Sequence, residues 1–437
     1  MAEKQREIFG SKIGFILSTI GFSVGVGTLW RFPYVCGENG GGLFLLTYTI
    51  LMLAIGIPLF SAEIGLGRAT RQSPVGAYRS IKPGTPWVLT GYFNMLCIIF
   101  VIGYTLPVYA WILHYLWATP IGTFTGMTSE QVGGYFGALT TDYGKLFPML
   151  ILNAVLTMLV VRNQLQKGIE KMAKILLPAL AVIMMILAGL GFSFEGSAAG
   201  LKFLFSLDFE SFGPRAILVA LGQTFFSLGV AMAVALVFGS YQREDDTGLV
   251  KNSTIISCSV VFVAILSGLM IFPMAAAFNL ELAGGPGLTF VTMPNVFNII
   301  PGGSLWGGLF YFAFYIAAFT SAVAGWEAVM GFLMDEYKVS RNQSLFITLG
   351  LVLVIGVPAT LSMGIFEKLD MVTTNVFLMA GALAMTIFIG WVWGIDKLAE
   401  VGHFKDKPGL MAFFTIVVKY IAPIMIAILA LNLFGII

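Results

Sequence analysis

The stretch Gly21–Tyr34, reading GFSVGVGTLWRFPY, constrains this chain more than any other. Lys12 to Phe22 reads as the first half of a membrane-spanning helix, apolar with small residues. Gly21, Gly25 and Gly27 then arrive within seven positions, and Arg31, Pro33 and Gly37 follow. An apolar segment at membrane depth is held helical because lipid satisfies no free N–H or C=O group. Three glycines and Thr28 loosen the helix where the bilayer midplane falls. Unwound backbone is tolerated there only when it lines a cavity and its freed groups bind something. Arg31 is too costly to face lipid, so it points into that cavity or finds an acid. The broken segment is therefore expected to be a binding site.

Of 437 residues, 58% are hydrophobic and 11% charged, against roughly 25% charged in an ordinary soluble domain. The chain is a polytopic membrane protein by composition. Eleven apolar runs divide it, at about 12–35, 41–69, 86–118, 145–162, 172–192, 215–240, 252–278, 304–334, 344–362, 371–395 and 410–435. Each meets or approaches the roughly 20 residues that a crossing helix needs. Lysine and arginine separate by side, with eighteen in the loops on the N-terminal side and four in the opposite loops (Lys145, Lys202, Arg215 and Lys368). That asymmetry predicts a cytoplasmic N-terminus and an extracellular C-terminus in a multi-pass protein of the cell membrane, inner or plasma. Met1–Gly10 is polar and does not read as a cleavable signal. Cys36, Cys97 and Cys258 are odd in number and scattered, and His114 and His403 lie far apart, so neither a disulfide framework nor a metal cluster is expected.

Glu63 lies near the inner end of span 2, where an acid usually satisfies buried donors; the free amides of the broken first helix are its expected partners. In span 3, Pro107 bends the helix, and Tyr104 and Tyr109 either pack or face the broken segment. The external loops 119–144 and 193–214 carry no chemical motif. Span 6 repeats the anomaly of span 1: GQTFFSLGVAMAVA places Gln223, Ser227, Gly229 and Ala231 at mid-membrane. Two interrupted spans, five apart, predict inverted five-helix repeats with the sites where the breaks meet. The expected organisation is an N-terminal segment 1–11, repeats 12–192 and 215–396 joined by the loop 193–214, and 397–437 holding a loop and an eleventh helix. In span 8, Thr320 and Ser321 bond back to the helix or serve as hard oxygen ligands. Residues 286–301, bounded by prolines, read as a re-entrant cap, and Asp370 opens span 10 on the same side as Arg31.

RFPY at 31–34, ENGGG at 38–42, GQTFFSL at 222–228, the Thr320-Ser321 pair and MDE at 334–336 resemble the neurotransmitter:sodium symporter family, in its bacterial amino-acid transporter branch. The resemblance covers nearly the whole chain and implies an all-α protein with two inverted repeats, broken helices 1 and 6, and an eleventh helix. It implies a sodium site at Gly21, Val24, Ala317, Thr320 and Ser321. It implies an outer gate of Arg31, Asp370 and the lid Phe226, and an inner gate of Arg6, Asp335 and Tyr241. Substrate would meet Phe22, Ser23, Gly25, Val26, Gly27, Tyr104, Phe226, Ser227, Gly229, Met232, Ser321 and Gly325.

The departures are specific. The family's other sodium site maps to Ser23, Thr28 and Ser227, and it is altered: asparagine is expected at Thr28. A further asparagine or aspartate is expected on span 7. Val260 falls there if ILSGLMIFP sets the register, and Ser259 if the count runs from Tyr241. The lid tyrosine of span 3 is displaced, Tyr104 against Thr105. Tyr48, Gln223 and Ser227 are candidates for a chloride site, but Ala264 replaces a serine or acid, which leaves chloride use open. Gly25 in place of aspartate argues against a monoamine substrate. The reading that results is a sodium-coupled importer of a neutral amino acid with a bulky apolar side chain. Its partners would be that substrate, sodium and membrane lipid, with no nucleic acid and no enzymatic motif. The alternatives are proton coupling through Glu63 and Glu327, transport without coupling, or a sensor that binds without transporting.

Overall fold

The structure, a computed structural model, describes residues 6–25, 27–209, 212–280 and 285–433. Among the described residues the chain is helical throughout, and nine uninterrupted helices are long and apolar enough to cross a membrane. They are Gly42–Thr70, Val88–Ala118, Tyr143–Arg162, Leu165–Gly191, Leu249–Ala277, Gly303–Tyr337, Arg341–Leu361, Met363–Val401 and Pro408–Leu433, which are spans 2 to 5 and 7 to 11. Spans 1 and 6 are each two helices. Span 1 is Lys12–Ser23 followed by Gly27–Glu38, bent by 49° at the break. Span 6 is Pro214–Leu228 followed by Val234–Ser240. The two breaks lie in corresponding places five spans apart, the arrangement of two inverted five-helix repeats followed by an eleventh helix.

Burial sorts the spans. In spans 3 and 8, 78% of the most apolar window is buried, against 33% in spans 4, 5 and 11. Spans 3 and 8 therefore pack beside the two broken helices, while spans 4, 5 and 11 present most of their surface outward. Lipid tails are as apolar as these side chains, so close packing, and not hydrophobic burial, holds the central spans together.

Helix ends differ from the hydropathy boundaries where charge sits on a face that has partners. Span 5 begins at Leu165, seven residues early, because Glu170 is taken up by the Gly10 N–H and Ser11 hydroxyl, both at 2.7 Å, and by Lys174 at 2.7 Å. The loop 119–144 contains the helix Ser129–Leu139, opened by a capping box between Thr128 and Gln131. The loop 193–214 contains Ser197–Phe205. The expected cap at 286–301 forms a π-helical turn, Leu288–Thr292, running into the helix Met293–Ile299.

Candidate functional site

Freed backbone at the two breaks faces a cavity of about 430 Å³. Its walls include Phe22, Ser23, Gly25 and Gly27 from span 1, Tyr104 from span 3, Phe226, Gly229 and Met232 from span 6, and Ser321 from span 8. Arg31 and Asp370 line it toward the face opposite the N-terminus. Val26 lies outside the described residues. Thr105 and Tyr109 of span 3 also line it, and so do Phe136 and Phe366, which the sequence reading missed. Phe136 comes from the loop 119–144, and no local pattern signals that a loop helix will fold over a distant cavity.

Two expected lining residues stand elsewhere. The Ser227 hydroxyl accepts from Gln223 Nε2 at 2.9 Å, and the same amide nitrogen donates to the Gly27 carbonyl at 2.8 Å, so Gln223 ties span 6 to span 1 and holds Ser227. Gly325 is a packing glycine: a Cβ there would come 2.5 Å from Ile102 Cγ2 and 3.2 Å from Ile98 Cδ1 on span 3. Nor is Gly229 open space, because a Cβ there would meet the Phe22 ring at 2.2 Å.

Beside the cavity, spans 1 and 8 gather neutral oxygens. Thr320 Oγ1 lies 2.9 Å from the Gly21 carbonyl oxygen and 3.1 Å from that of Ala317, and Ser321 Oγ lies 3.1 Å from Gly21 O and 2.7 Å from Phe22 O. Val24 is buried in the same turn. Carbonyl and hydroxyl oxygens suit a hard cation, and without acids the set suits a monovalent ion that must also leave. The approach is close: a Cβ on Gly25 would lie 2.0 Å from Ser321 Oγ. Ser321 belongs to both the oxygen cluster and the cavity wall.

The second expected cluster does not form in the same way. The Thr28 hydroxyl donates to the Ser23 carbonyl at 2.9 Å, and the Ser23 hydroxyl donates to Leu228 O at 3.1 Å. On span 7, Val260 is wholly buried, whereas Ser259 returns its hydroxyl to Ile255 O on an exposed face. Burial therefore favours Val260 as the residue facing the site. Among the described residues no hydrogen bond within normal geometry satisfies the buried Tyr48 hydroxyl or Gln223 Oε1, and Ala264 is buried on span 7.

The two ends of the pathway differ. On the face opposite the N-terminus, Tyr104 donates to Asp370 Oδ1 at 2.7 Å, while Arg31 rests over the Phe226 ring at 4.6 Å. Among the described residues no ion pair joins Arg31 to Asp370. On the N-terminal side, Arg6 pairs with Asp335 at 2.7 Å, donates to Ser240 and lies over Tyr241 at 5.0 Å. Tyr241 donates to Glu327 at 3.2 Å, Glu327 pairs with Arg341 at 2.6 Å, and Arg341 reaches Glu7 at 3.1 Å. Arg341 and Glu7 were not anticipated, although a buried acid such as Glu327 calls for a nearby cation. Glu63 corrects another expectation: among the described residues its backbone donors are on broken span 6, the Ala231 N–H at 2.8 Å first, and not on span 1.

Comparison with known proteins agrees with this geometry. The family model described as "Sodium:neurotransmitter symporter family" matches residues 6–126 and 136–436. The uncharacterized sodium-dependent transporter YhdH of Bacillus subtilis is 30% identical over all of this chain and 99% of its own length. The sodium-dependent serotonin transporter of Drosophila melanogaster is 27% identical over 97% of this chain and 76% of its own. The crystal structure of MhsT in complex with L-phenylalanine superposes with a TM-score of 0.91 at 32% identity, covering 98% of this chain and 100% of that one. A match over almost every span, on a fold with both breaks in place, makes this chain a member of the sodium:neurotransmitter symporter family, a family of multi-pass sodium-dependent transporters.

Proposed function

We propose that this protein imports an amino acid with a bulky apolar side chain, phenylalanine or one like it, coupled to one sodium ion by alternating access. The observation that carries this reading is Ser321, whose hydroxyl belongs both to the neutral oxygen cluster and to the cavity wall. An ion held by Gly21, Val24, Ala317, Thr320 and Ser321 would draw spans 1 and 8 together and so steady the wall that substrate meets. The N–H groups at the start of Gly27–Glu38 favour the substrate carboxylate. Phe22, Tyr104, Phe226 and Met232 offer apolar surface to its side chain. MhsT, solved with L-phenylalanine, supports the substrate class.

The N-terminal face is proposed as cytoplasmic, from the excess of lysine and arginine in its loops, with the repeats at 12–192 and 215–396. Ion pairs tie that face shut, whereas among the described residues no ion pair joins Arg31 to Asp370 on the opposite face, so substrate enters from outside. Proton coupling is disfavoured because Glu63 and Glu327 both have fixed donors, Ala231 N–H for one, Arg341 and Tyr241 for the other. The test is uptake of labelled phenylalanine into proteoliposomes. An inward sodium gradient is expected to drive accumulation that a sodium ionophore collapses. Accumulation that follows a proton gradient and ignores sodium would overturn the reading.

A further inference from the structure

The break in span 6 carries an unexpected backbone. Ala231 and Ala233 both adopt left-handed conformations, with φ of 61° and 66°. An alanine at positive φ is strained by its Cβ, and it persists only where the surroundings over-determine it. For Ala231 they do. Its N–H donates to Glu63 Oε2 at 2.8 Å, and its carbonyl accepts from Asn94 Nδ2 at 2.7 Å. Both backbone groups of one strained residue are thus held by buried side chains, from span 2 and from span 3.

Asn94 is itself placed for this task. It is 2% exposed, in the inner half of a span that is otherwise apolar around it. The Tyr78 hydroxyl lies 3.5 Å from Asn94 Oδ1, which leaves the amide nitrogen pointing at Ala231. On span 10, Gly381 makes the room: a Cβ there would come 2.9 Å from Asn94 Nδ2 and 3.8 Å from the Ala231 Cβ. A buried amide inside a membrane span is costly unless its hydrogen bonds are made, and here the bond falls on the residue beside Met232. Met232 lines the cavity, and its own backbone is fixed on either side, by its N–H to Gly229 O at 3.2 Å and by Val234 N–H to its carbonyl at 2.8 Å. Ala231 lies inside the turn that the Gly229–Met232 bond closes, so a change of its φ would re-aim the Met232 side chain.

We propose that Asn94 is a positioning residue for substrate selection: with Glu63 it locks Ala231 in its left-handed conformation and so sets how far Met232 projects into the cavity. This rests on the reading of the cavity as an amino-acid site. Without the Asn94 bond, Ala231 relaxes toward negative φ and Met232 moves. The sodium cluster on spans 1 and 8 is made of other residues and stays as it is.

The experiment is uptake kinetics of phenylalanine and of alanine in proteoliposomes holding the wild type, Asn94→Leu, and Asn94→Leu with Ala231→Gly. Asn94→Leu is expected to raise KM for phenylalanine at least tenfold with kcat within twofold. It should shrink the preference for phenylalanine over alanine and leave the sodium half-saturation within twofold. Glycine adopts positive φ without strain, so adding Ala231→Gly should restore much of the KM. A wild-type KM and preference in Asn94→Leu would overturn the proposal. So would equal losses for both substrates, sodium affinity and melting temperature with no rescue by Ala231→Gly. If Asn94→Leu does not fold, Asn94→Ala is read by the same two ratios. Failure of the wild type to take up either amino acid would instead refute the functional reading, and the proposal with it.

Discussion

The Thr28 hydroxyl donates to the Ser23 carbonyl across 2.9 Å, closing the turn at the break in span 1 on itself. Val260, at the span 7 position where an asparagine or aspartate is expected, is buried and apolar and offers no side-chain oxygen. Uptake should therefore rise with sodium at a Hill coefficient near one. Thr28→Ala should leave that coefficient unchanged while weakening stability by about 1 kcal/mol, the usual net worth of one hydrogen bond. A coefficient approaching two in the wild type would show that a second ion binds.

Arg31 rests on Phe226 and Asp370 accepts from Tyr104, so under the proposed function closure of this end would bring Arg31 to Asp370. Arg31→Ala should cut the transport rate at least tenfold while changing equilibrium binding of phenylalanine less than threefold, because closure and not binding needs the guanidinium. The measurement pairs uptake with scintillation-proximity binding on the same preparation. Equal losses in both would place Arg31 in the binding step.

Much of this was legible in the residues. Gly21, Gly25 and Gly27 against an otherwise apolar run betray the break in span 1, since lipid forbids loose backbone unless a cavity receives it. The Thr320-Ser321 pair on span 8 marked a source of oxygen ligands. What escaped was which face each small residue presents. The resemblance implies that Gly325 meets substrate, yet its face meets Ile98 and Ile102 of span 3. Glu63 was expected to serve span 1, but helix rotation aims it at Ala231. Ala231 stood out only as a small residue in the interrupted stretch, and the positive φ of Ala231 and Ala233 had no signal, because alanine ordinarily favours a helix and only tertiary contacts force it there.

Gly325→Leu should consequently damage every substrate alike. The added branches meet Ile102 and Ile98, and overpacking of this kind costs about 1–3 kcal/mol or more. A lowered melting temperature with unchanged substrate preference is the expected result in detergent-purified protein. A selective loss of bulky substrates at wild-type stability would return Gly325 to the cavity wall.

Asp246, in the loop after span 6, anchors the start of span 1 through Lys12 at 3.1 Å and also accepts from Gly248 N–H at 3.0 Å and Asn252 at 2.7 Å. Burial alone would raise its pKa, but these donors hold it below the ordinary carboxylate value. A depressed folded-state pKa contributes stability above the unfolded pKa of about 3.9, and that contribution is lost as pH falls through the folded value. Melting temperature should thus hold from pH 7 to about 5 on this account and fall below about 4. Asp246→Asn should start lower at pH 7 and lose less on acidification. An unchanged acid limb in that variant would remove Asp246 from the cause.

The most direct test is the simultaneous flux of labelled sodium and labelled phenylalanine into proteoliposomes, in the wild type and in Ser321→Ala. With Ser321 shared by the ion cluster and the cavity wall, the wild type should carry one sodium per amino acid, and Ser321→Ala should lose coupled accumulation while remaining folded. Phenylalanine entering with no sodium, or coupled flux surviving intact in Ser321→Ala, would contradict the account.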